Sequence, residues 1–432
     1  MANAFSKEER VAFEDILEGF QDALVMSRNV AIYNTDQTMM ERTNNVIWRP
    51  QPYIAVSYSG TDMTANFDDY VQLSVPSTIG FQKSVPWIMT ATELRDALQE
   101  GRLGDAARQK LASDINIAVL NAASSQGTLV VKRTAAASGY DDVAQCESIM
   151  NEQGVPDYDR YLALSTRDYN SMANGLVGSA RSFGNNISDE ALRRGFVGQI
   201  ASFGTYKLDY ANRQAAAAGG GGITINTLAA GGNYYVPKAT TTASTGERSN
   251  VDNRYQTVTV TTSANVAAGD AFTIANVFAV HKITKQSTGQ LKTFRVISVP
   301  AGGTTLVISP PIIPAQAGVG LEATEQYQNV TISAPVSNAA IVFLNTGAAG
   351  GVPTYLNCFW QRDAIELLPG RYAVPADAGA AVMRATTDQG IELVMQKQYD
   401  INTMKTRYRL DTLFGVVNKQ PEMSGIILFS QT

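Results

Sequence analysis

The strongest constraint on this chain is a β-rich module that interrupts it, running from Asn250 to Pro314. Tyr255–Thr262 is almost all Thr and Val, β-branched residues that suit a pleated surface. Gly269-Asp270 forms a turn pair ahead of Ala271–Ile274, and Val277–Ile283, Phe294–Val299 and Thr305–Ile308 are further short runs. Gly289, Gly302-Gly303 and Pro310-Pro311 punctuate them. Short strands so closely spaced predict a small closed barrel or sandwich. Helical and mixed sequence lies on both sides of it. The pattern therefore predicts an all-β domain inserted into an α+β host, whose two parts close around the insertion.

The linkers agree. Ala215–Gly222 (AAAAGGGG) marks where the chain leaves the host, and a second Gly/Ala-rich stretch at Asn338–Gly351 marks its return. Upstream, Ser6 with Glu9 forms a capping box, and Phe13, Ile16, Leu17, Phe20 and Leu24 recur at helical spacing. That helix is either an ordinary domain-edge element or an arm that lays its apolar stripe on a neighbouring subunit. From Val46 two extended stretches flank a polar tip, Gly60–Asn66, as in a long ribbon. If each limb runs ~12 residues, the ribbon projects roughly 40 Å. A two-stranded ribbon is marginal alone in water, so it needs a surface to lie on.

Thr90 or Thr92 caps a short helix through Leu98, interrupted at Gly101 and Gly104; Asp105 then opens a long helix to about Ser125. Apolar residues on more than one side (Leu111, Ile115, Ala118 and Ala122, with Ile117 and Leu120) suit a helix buried on much of its girth. Asp141–Gln153 reads as a helix, Tyr161–Leu164 as a buried strand, and Arg167–Ala173 as a helix capped by Thr166, before a glycine-rich loop at Gly175–Asn186. Ser188 starts a helical turn toward Arg194, and Gly198–Tyr210 holds strand-like pieces. Tyr234–Asn253 reads as an exposed polar loop. Gln389–Gln398 and Arg407–Leu410 are extended, and Phe414–Val417 and Ile426–Phe429 are short apolar strands.

Composition narrows the function. Only 17% of the 432 residues are charged, which fits a surface covered in part by other protein. A net charge of −5 argues against a phosphate-neutralising nucleic-acid surface, though not against a container for nucleic acid. Cys146 and Cys358 stand far apart with no metal spacing, which fits folding in a reducing compartment. No cleavable leader or membrane-length apolar run is visible.

The chemistry-bearing residue types are scarce. His281 is the one histidine, so neither a Ser-His-Asp set nor a shared metal site can be assembled around a second. Gly318–Ala323 fits a loose dinucleotide fingerprint but follows Pro-Ala-Gln-Ala rather than a strand. Asp68-Asp69 and Asp141-Asp142 are adjacent carboxylates that point to opposite faces of an extended chain, so they suit loops or caps. No catalytic residue, metal or cofactor is expected.

This order of segments resembles the major capsid (coat) protein of tailed double-stranded DNA bacteriophages, of the short-tailed type whose coat carries an inserted β-barrel domain. The likeness rests on NNVIWRP at Asn44–Pro50, NVDNRYQTVTV at Asn250–Val260, the spaced pattern GDAFTI…VFAVHKITK…TFRVISV…TTLVISPPI, FWQRDAIEL at Phe359–Leu367 and RLDTLFGVVNKQPE at Arg409–Glu422. It spans essentially the whole chain. It implies the α+β tailed-phage capsid fold (Hong Kong phage type), with spine helix, extended hairpin and N-arm, plus the inserted all-β barrel. The implied segments are an N-terminal arm at 1–50, the extended hairpin at 51–83, and a peripheral domain with the spine helix at 84–125. An axial domain follows at 126–222 and 347–400, the inserted barrel at 223–346, and peripheral return strands at 401–432.

The implied function is self-assembly of pentamers and hexamers into an icosahedral shell that encloses the phage genome. The implied partners are a scaffolding protein during assembly, a portal protein at one vertex and packaged double-stranded DNA bound without sequence specificity, with no membrane. The place is the virion capsid, assembled in the bacterial host cytoplasm. Contacts between subunits are expected at Phe13 and Phe20 of the arm, at Tyr58, Asp62, Asp68 and Asp69 of the hairpin, and at Glu247, Arg248 and Asp252 of the loop Pro237–Asn253, which matches one that in relatives meets the next capsomer. The rival expectation is a non-enclosing surface protein, array-forming or adhesin-like.

Overall fold

The computed structural model describes residues 7–33, 46–64, 67, 70–90, 92–93, 97–179, 198–219, 222–316, 318, 320–333, 337–348, 351–373 and 381–432, without the side chains of residues 8, 97–101 and 176–179. Expectations for Ser6, Asp68, Asp69 and the turn at Ser188–Arg194 fall outside the described residues. The chain groups into two units. One holds Met1–Ile47, Pro76–Leu120 and Ile365–Val417; the other holds Trp48–Val75, Asn121–Ala364 and Asn418–Thr432. This grouping departs from the expected boundaries at residues 347–400 and 401–432. Strand pairing is the reason. Lys405–Asn418 is flanked by Glu392–Asp400 and Phe81–Thr90, whereas Ser424–Leu428 pairs with Asn357–Gln361 and Leu129–Lys132.

The first unit is a six-stranded sheet with helices against it. Its strand order is Ala31–Ile32, Ile365–Pro369, Lys405–Asn418, Glu392–Asp400 and Ala381–Thr386, with Phe81–Thr90 also paired to Lys405–Asn418. The N-terminal helix spans Lys7–Ala23. Its stripe is buried within its own chain: Phe13 is 5% exposed, Ile16 4% and Phe20 and Leu24 0%. The domain-edge reading is the one the fold adopts. Phe13 and Phe20, the arm residues expected at a contact with a neighbour, pack into the core of their own chain. Glu9 does not face solvent either; its carboxylate accepts from Lys397 Nζ and Tyr408 Oη.

The long helix is continuous from Ala97 to Gln126, through both glycines expected to break it. At Gly104 a Cβ would lie 2.6 Å from Ile16 Cδ1, so the missing side chain lets the two helices approach closely. Asn116 ties the same pair: its Nδ2 donates to Ala23 O (3.0 Å) and its Oδ1 accepts from Met26 N (3.2 Å). This meets an orphaned carbonyl at the end of the first helix and an amide at the start of the 3-10 turn Met26–Asn29 that follows it. Of the apolar pattern, Leu111, Ile115, Leu120 and Ala122 are buried and Ile117 and Ala118 half-buried, while Val119, which the pattern left out, is 0% exposed.

The second unit contains a mixed sheet and the inserted module. The sheet order is Leu129–Lys132, Ser424–Leu428, Asn357–Gln361, Arg160–Ser165, Phe203–Leu208 and Gln199–Ile200. Helices Tyr140–Glu152 and Thr166–Ser179 belong to this unit. The second helix runs past Gly175, where a loop was expected. A Cβ there would meet Ser138 O at 1.8 Å, so glycine serves a close approach rather than a break. Asp142 caps the first helix, accepting from the backbone N of Ser138 (2.7 Å).

The module is a barrel. Its strands run Thr224–Ile225, Ala339–Phe343, Ala271–Val280, Ser287–Ser298, Thr305–Ser309 and Gln256–Thr259, with Val330–Ile332 added beside Ala271–Val280. The ends meet through the Ile225–Val260 bridge, and Asn226 N donates to Thr259 O (3.0 Å) while Thr261 N donates to Thr224 O (3.0 Å). Closure removes the open edges. Ile225, Val258, Phe272, Ile274, Phe294, Val296 and Ile308 fill the interior at 0% exposure, with Phe272 and Phe294 stacked at 5.7 Å. Every member of this core lies between Ile223 and Phe343. The two expected strands Ala271–Ile274 and Val277–Ile283 are one strand, irregular in register between Thr273 and Phe278, where Asn276 has φ 65°.

Candidate assembly surface

The ribbon is built differently from the expected pair of long strands. Val46–Pro50 pairs with Ser74–Thr78 at its base, and Gln51 N donates to Leu73 O (2.8 Å). Beyond that no ladder forms among the described residues. Pro52 lacks an N–H, and side chains take over the crossing: Tyr53 Oη donates to Gln72 Oε1 (3.0 Å), and Val56 N donates to Tyr70 Oη (3.4 Å).

The foot of the return limb rests on the inserted module. Val71 N donates to Gln326 Oε1 (3.0 Å), Tyr327 Oη donates to Val71 O (2.7 Å), and Leu73 packs with Ile313 and Tyr327. The outer part stands in water. Tyr53 is 57% exposed, Tyr58 39%, Phe67 88% and Tyr70 54%. Near the tip, Asp62 Oδ1 accepts from Thr64 Oγ1 (2.6 Å) and Thr64 N (3.1 Å), and these two bonds hold its carboxyl below the usual range.

The loop Pro237–Asn253 contains a small hairpin, Thr240–Thr242 with Arg248–Asn250, all six residues exposed. Glu247 and Arg248 face solvent on it. Asp252 does not belong with them. Arg254 grips its carboxylate through Nε (2.9 Å) and Nη2 (2.7 Å), and Arg254 Nη1 donates to Asn418 O (2.8 Å). The charge of Asp252, also expected at an intersubunit contact, is matched inside the chain, and Arg254 joins the root of this loop to Asn418.

Sequence reasoning missed a buried polar junction between the module and the mixed sheet. Lys292, with a side chain 2% exposed, donates from Nζ to Glu422 Oε1 (2.7 Å) and Gln153 Oε1 (2.8 Å). Asn329 Nδ2 donates to the same Glu422 oxygen (3.1 Å), and Lys282 Nζ lies 3.5 Å from Glu422 Oε2. Burial pushes the Glu422 carboxyl up; the ammonium groups of Lys292 and Lys282 and the hydrogen bonds outweigh it and bring it down to about 2. Beside this cluster, Thr293 Oγ1 donates to Thr128 O (2.7 Å). No sequence pattern pairs residues 130 positions apart, so only the fold brings Lys292 and Glu422 together. The exposed Phe67 and Tyr70 were also missed, though two aromatics in the polar run Asn66–Tyr70 were a visible signal.

His281 does structural work. The strand ends at Val280, and His281 Nδ1 accepts from Ile283 N and Thr284 N (both 3.2 Å) in the turn that follows. Among the described residues no group of three or more His, Cys, Asp or Glu is placed to hold a metal ion, and no helix is long and apolar enough to cross a membrane.

Comparisons with known proteins fall on this arrangement. The sequence model described as P22 coat protein - gene protein 5 matches residues 1–430. Among solved structures, the CUS-3 coat protein I-domain is 40% identical over 30% of this chain and 99% of its own, at a TM-score of 0.22. A chain from Mycobacterium phage Che8 aligns at 10% identity over 92% of this chain and 88% of that one, at a TM-score of 0.43. One from the mature capsid of bacteriophage PhiM1 aligns at 10% identity over 93% and 85%, at 0.41. With the family match running almost from end to end, this chain belongs to the P22 coat protein family and is a major capsid protein, a structural subunit of a bacteriophage shell.

Proposed function

We propose that copies of this chain form pentamers and hexamers of an icosahedral shell around double-stranded DNA, and that the outer ribbon is the contact each copy offers its neighbour. The observation that carries this reading is the ribbon's exposed apolar surface, above all Phe67 at 88% and Tyr53 at 57%. An aromatic left in water by its own chain, on a subunit whose family builds shells, suits burial against a sister copy. Tyr58 and Asp62, with Asp68 and Asp69 between Phe67 and Tyr70, supply the polar rim. Glu247 and Arg248 on the small exposed hairpin form a second, weaker contact to the next capsomer. The expected partition into arm, hairpin, peripheral, axial and inserted segments stays part of this proposal, with the arm now folded onto its own unit.

Assembly proceeds in the host cytoplasm around a scaffolding protein, with a portal protein at one vertex. A net charge of −5 suits DNA that is enclosed without tight neutralisation and must later leave. Individually weak contacts let misplaced subunits depart, and affinity accumulates over many of them.

The test is a Phe67→Ser, Tyr58→Ser double variant, assembled with and without scaffold and viewed by negative-stain microscopy. Closed shells of uniform size are expected from the parent chain. The variant is expected to keep the parent's circular dichroism and melting temperature yet yield few or no closed shells. Normal shells from the variant would sink the ribbon contact; flat sheets from the parent chain would sink the enclosure itself.

A further inference from the structure

The second unit holds a cavity of about 340 Å³ at the foot of the ribbon, with mostly apolar walls. That volume is enough for a small ligand or a bulky side chain. Pro52, Ile54, Pro156, Tyr158 and Ile283 line it and keep surface open to water. Ile283 is an aliphatic side chain left 71% exposed. The turn that carries it is anchored twice: His281 Nδ1 accepts from Ile283 N and Thr284 N (both 3.2 Å), and Lys282 N donates to Gln153 O (3.3 Å). Ile283 is therefore presented at the cavity by backbone that is already ordered, which lowers the cost of binding against it.

Charge on this wall is unbalanced. Lys292 and Lys282 both face Glu422, at 2.7 and 3.5 Å. Lys285 feels the same carboxylate, yet burial, reinforced by the Lys282 ammonium, pushes its own ammonium down to about 8. Three ammonium groups thus share one carboxylate. Lys292 is buried and Lys285 Nζ donates to Gln326 O (2.8 Å), so Lys282, which lines the cavity with a side chain 26% exposed, carries the excess to the surface. The other lining carboxylate, Asp363, belongs to the separate turn Arg362–Ala364. Such a site suits a partner that brings an apolar ring and a carboxylate side by side. The ribbon brings both in Phe67-Asp68-Asp69-Tyr70, with Phe67 88% exposed. We propose that the cavity of one copy receives Phe67 from the ribbon of a second copy, with a flanking carboxylate meeting Lys282. This rests on the shell-forming reading above and names the surface the ribbon meets. The donor and the acceptor lie at different ends of one ribbon, so the contact is head-to-tail. A head-to-tail contact repeats from copy to copy and closes into rings, as pentamers and hexamers require, whereas a self-complementary one would stop at a dimer.

The experiment uses the full chain assembled with scaffold. Asn66→Cys and Thr284→Cys place thiols beside Phe67 and Ile283 while leaving both in place, and the native Cys146 and Cys358 are buried. Shells of the chain carrying both substitutions, treated with a short bis-maleimide, are expected to give a ladder of linked chains ending at pentamers and hexamers; either cysteine alone is expected to give single chains. Shells that form with the thiol at 66 protected from maleimide but unlinked to 284 overturn the cavity and leave the ribbon contact standing. A thiol at 66 as reactive in shells as in free chains overturns both readings. Dimers from Asn66→Cys alone mean that ribbon tips meet each other, and overturn the head-to-tail contact. Two substitutions without thiols give an independent check. Ile283→Ser, at an exposed position, is expected to keep the melting temperature and to need about tenfold more chain to form shells. Lys282→Gln is expected to do the same and to make assembly less sensitive to salt. Shells from both variants at the parent's concentration overturn the assignment.

Discussion

The junction at Glu422 makes a quantitative prediction. Its carboxyl titrates near 2 in the folded chain against an ordinary value of 4.5. A difference of roughly 2.5 pH units corresponds to ~3 kcal/mol of stability at neutral pH. Because the folded value lies below the unfolded one, that stability is fully present above about 4.5 and drains away as pH falls toward 2. Part of it is offset elsewhere, since burial pulls the Lys292 ammonium down and makes its charged form expensive. Glu422→Gln removes the counter-charge while leaving that ammonium 2% exposed and bound to Gln153. Breaking one side of a buried pair costs about 3–5 kcal/mol. The double variant Lys292→Met, Glu422→Leu removes both charges and is expected to lie within about 1.5 kcal/mol of the parent, because Asn329 keeps a second acceptor at Pro311 O (2.9 Å). Urea unfolding followed by tryptophan fluorescence, in which the fully buried Trp360 reports on the adjoining sheet, measures all three chains at pH 7 and pH 3. The parent should lose stability between the two pH values and Glu422→Gln should lose much less. A single variant within 1 kcal/mol of the parent, or one with an unchanged pH dependence, would show that water already screens the pair and that the junction contributes nothing through charge.

Two further outcomes follow from the packing. Gly425→Ala places a Cβ 2.2 Å from Leu129 O and 2.6 Å from Phe359 Cζ, where backbone cannot yield, so a loss of about 3 kcal/mol or more is expected in thermal unfolding. Residues 223–346 expressed alone should give a folded, cooperatively melting β protein by circular dichroism, since the barrel closes on itself and its core draws on no residue outside that span; a disordered, aggregating product would count against an autonomous module.

How much of this was legible in the sequence depended on the range of the interaction. The helix Lys7–Ala23 and the helix Tyr140–Glu152 were readable because apolar spacing and a nearby cap are local facts. The barrel was readable as a class because Thr- and Val-rich runs separated by Gly and Pro admit few other folds. Glycines misled in a consistent way. Gly104 and Gly175 were read as breaks, yet each lies inside a helix at a point of contact, with Ile16 and with Ser138. A glycine inside a helical pattern signals either a stop or a close neighbour, and the neighbour is invisible until the chain is folded. The strand Ser424–Leu428 was recognised as a strand without its partners, since apolar character fixes burial and leaves pairing open. Lys292 and Glu422 were out of reach for the same reason.

The packing of the N-terminal helix bears on which surface the proposed contact between copies would use. If the helical arm were to swing out and dock elsewhere, Phe13, Ile16, Phe20 and Leu24 would first leave sites where they are at most 5% exposed. At about 1.5–3 kcal/mol for each large apolar side chain, that departure costs roughly 6–12 kcal/mol before any new contact forms. The ribbon faces no such debt, because Phe67, Tyr53 and Tyr70 already stand in water. A contact made with surface that is already exposed forms without unfolding anything and can come apart again, as error correction in a growing shell requires. The chain therefore places its two apolar aromatic stretches in opposite ways: the one with helical spacing closes its own core, and the one strung along an extended ribbon stands in water, where the proposed contact with a sister molecule would bury it.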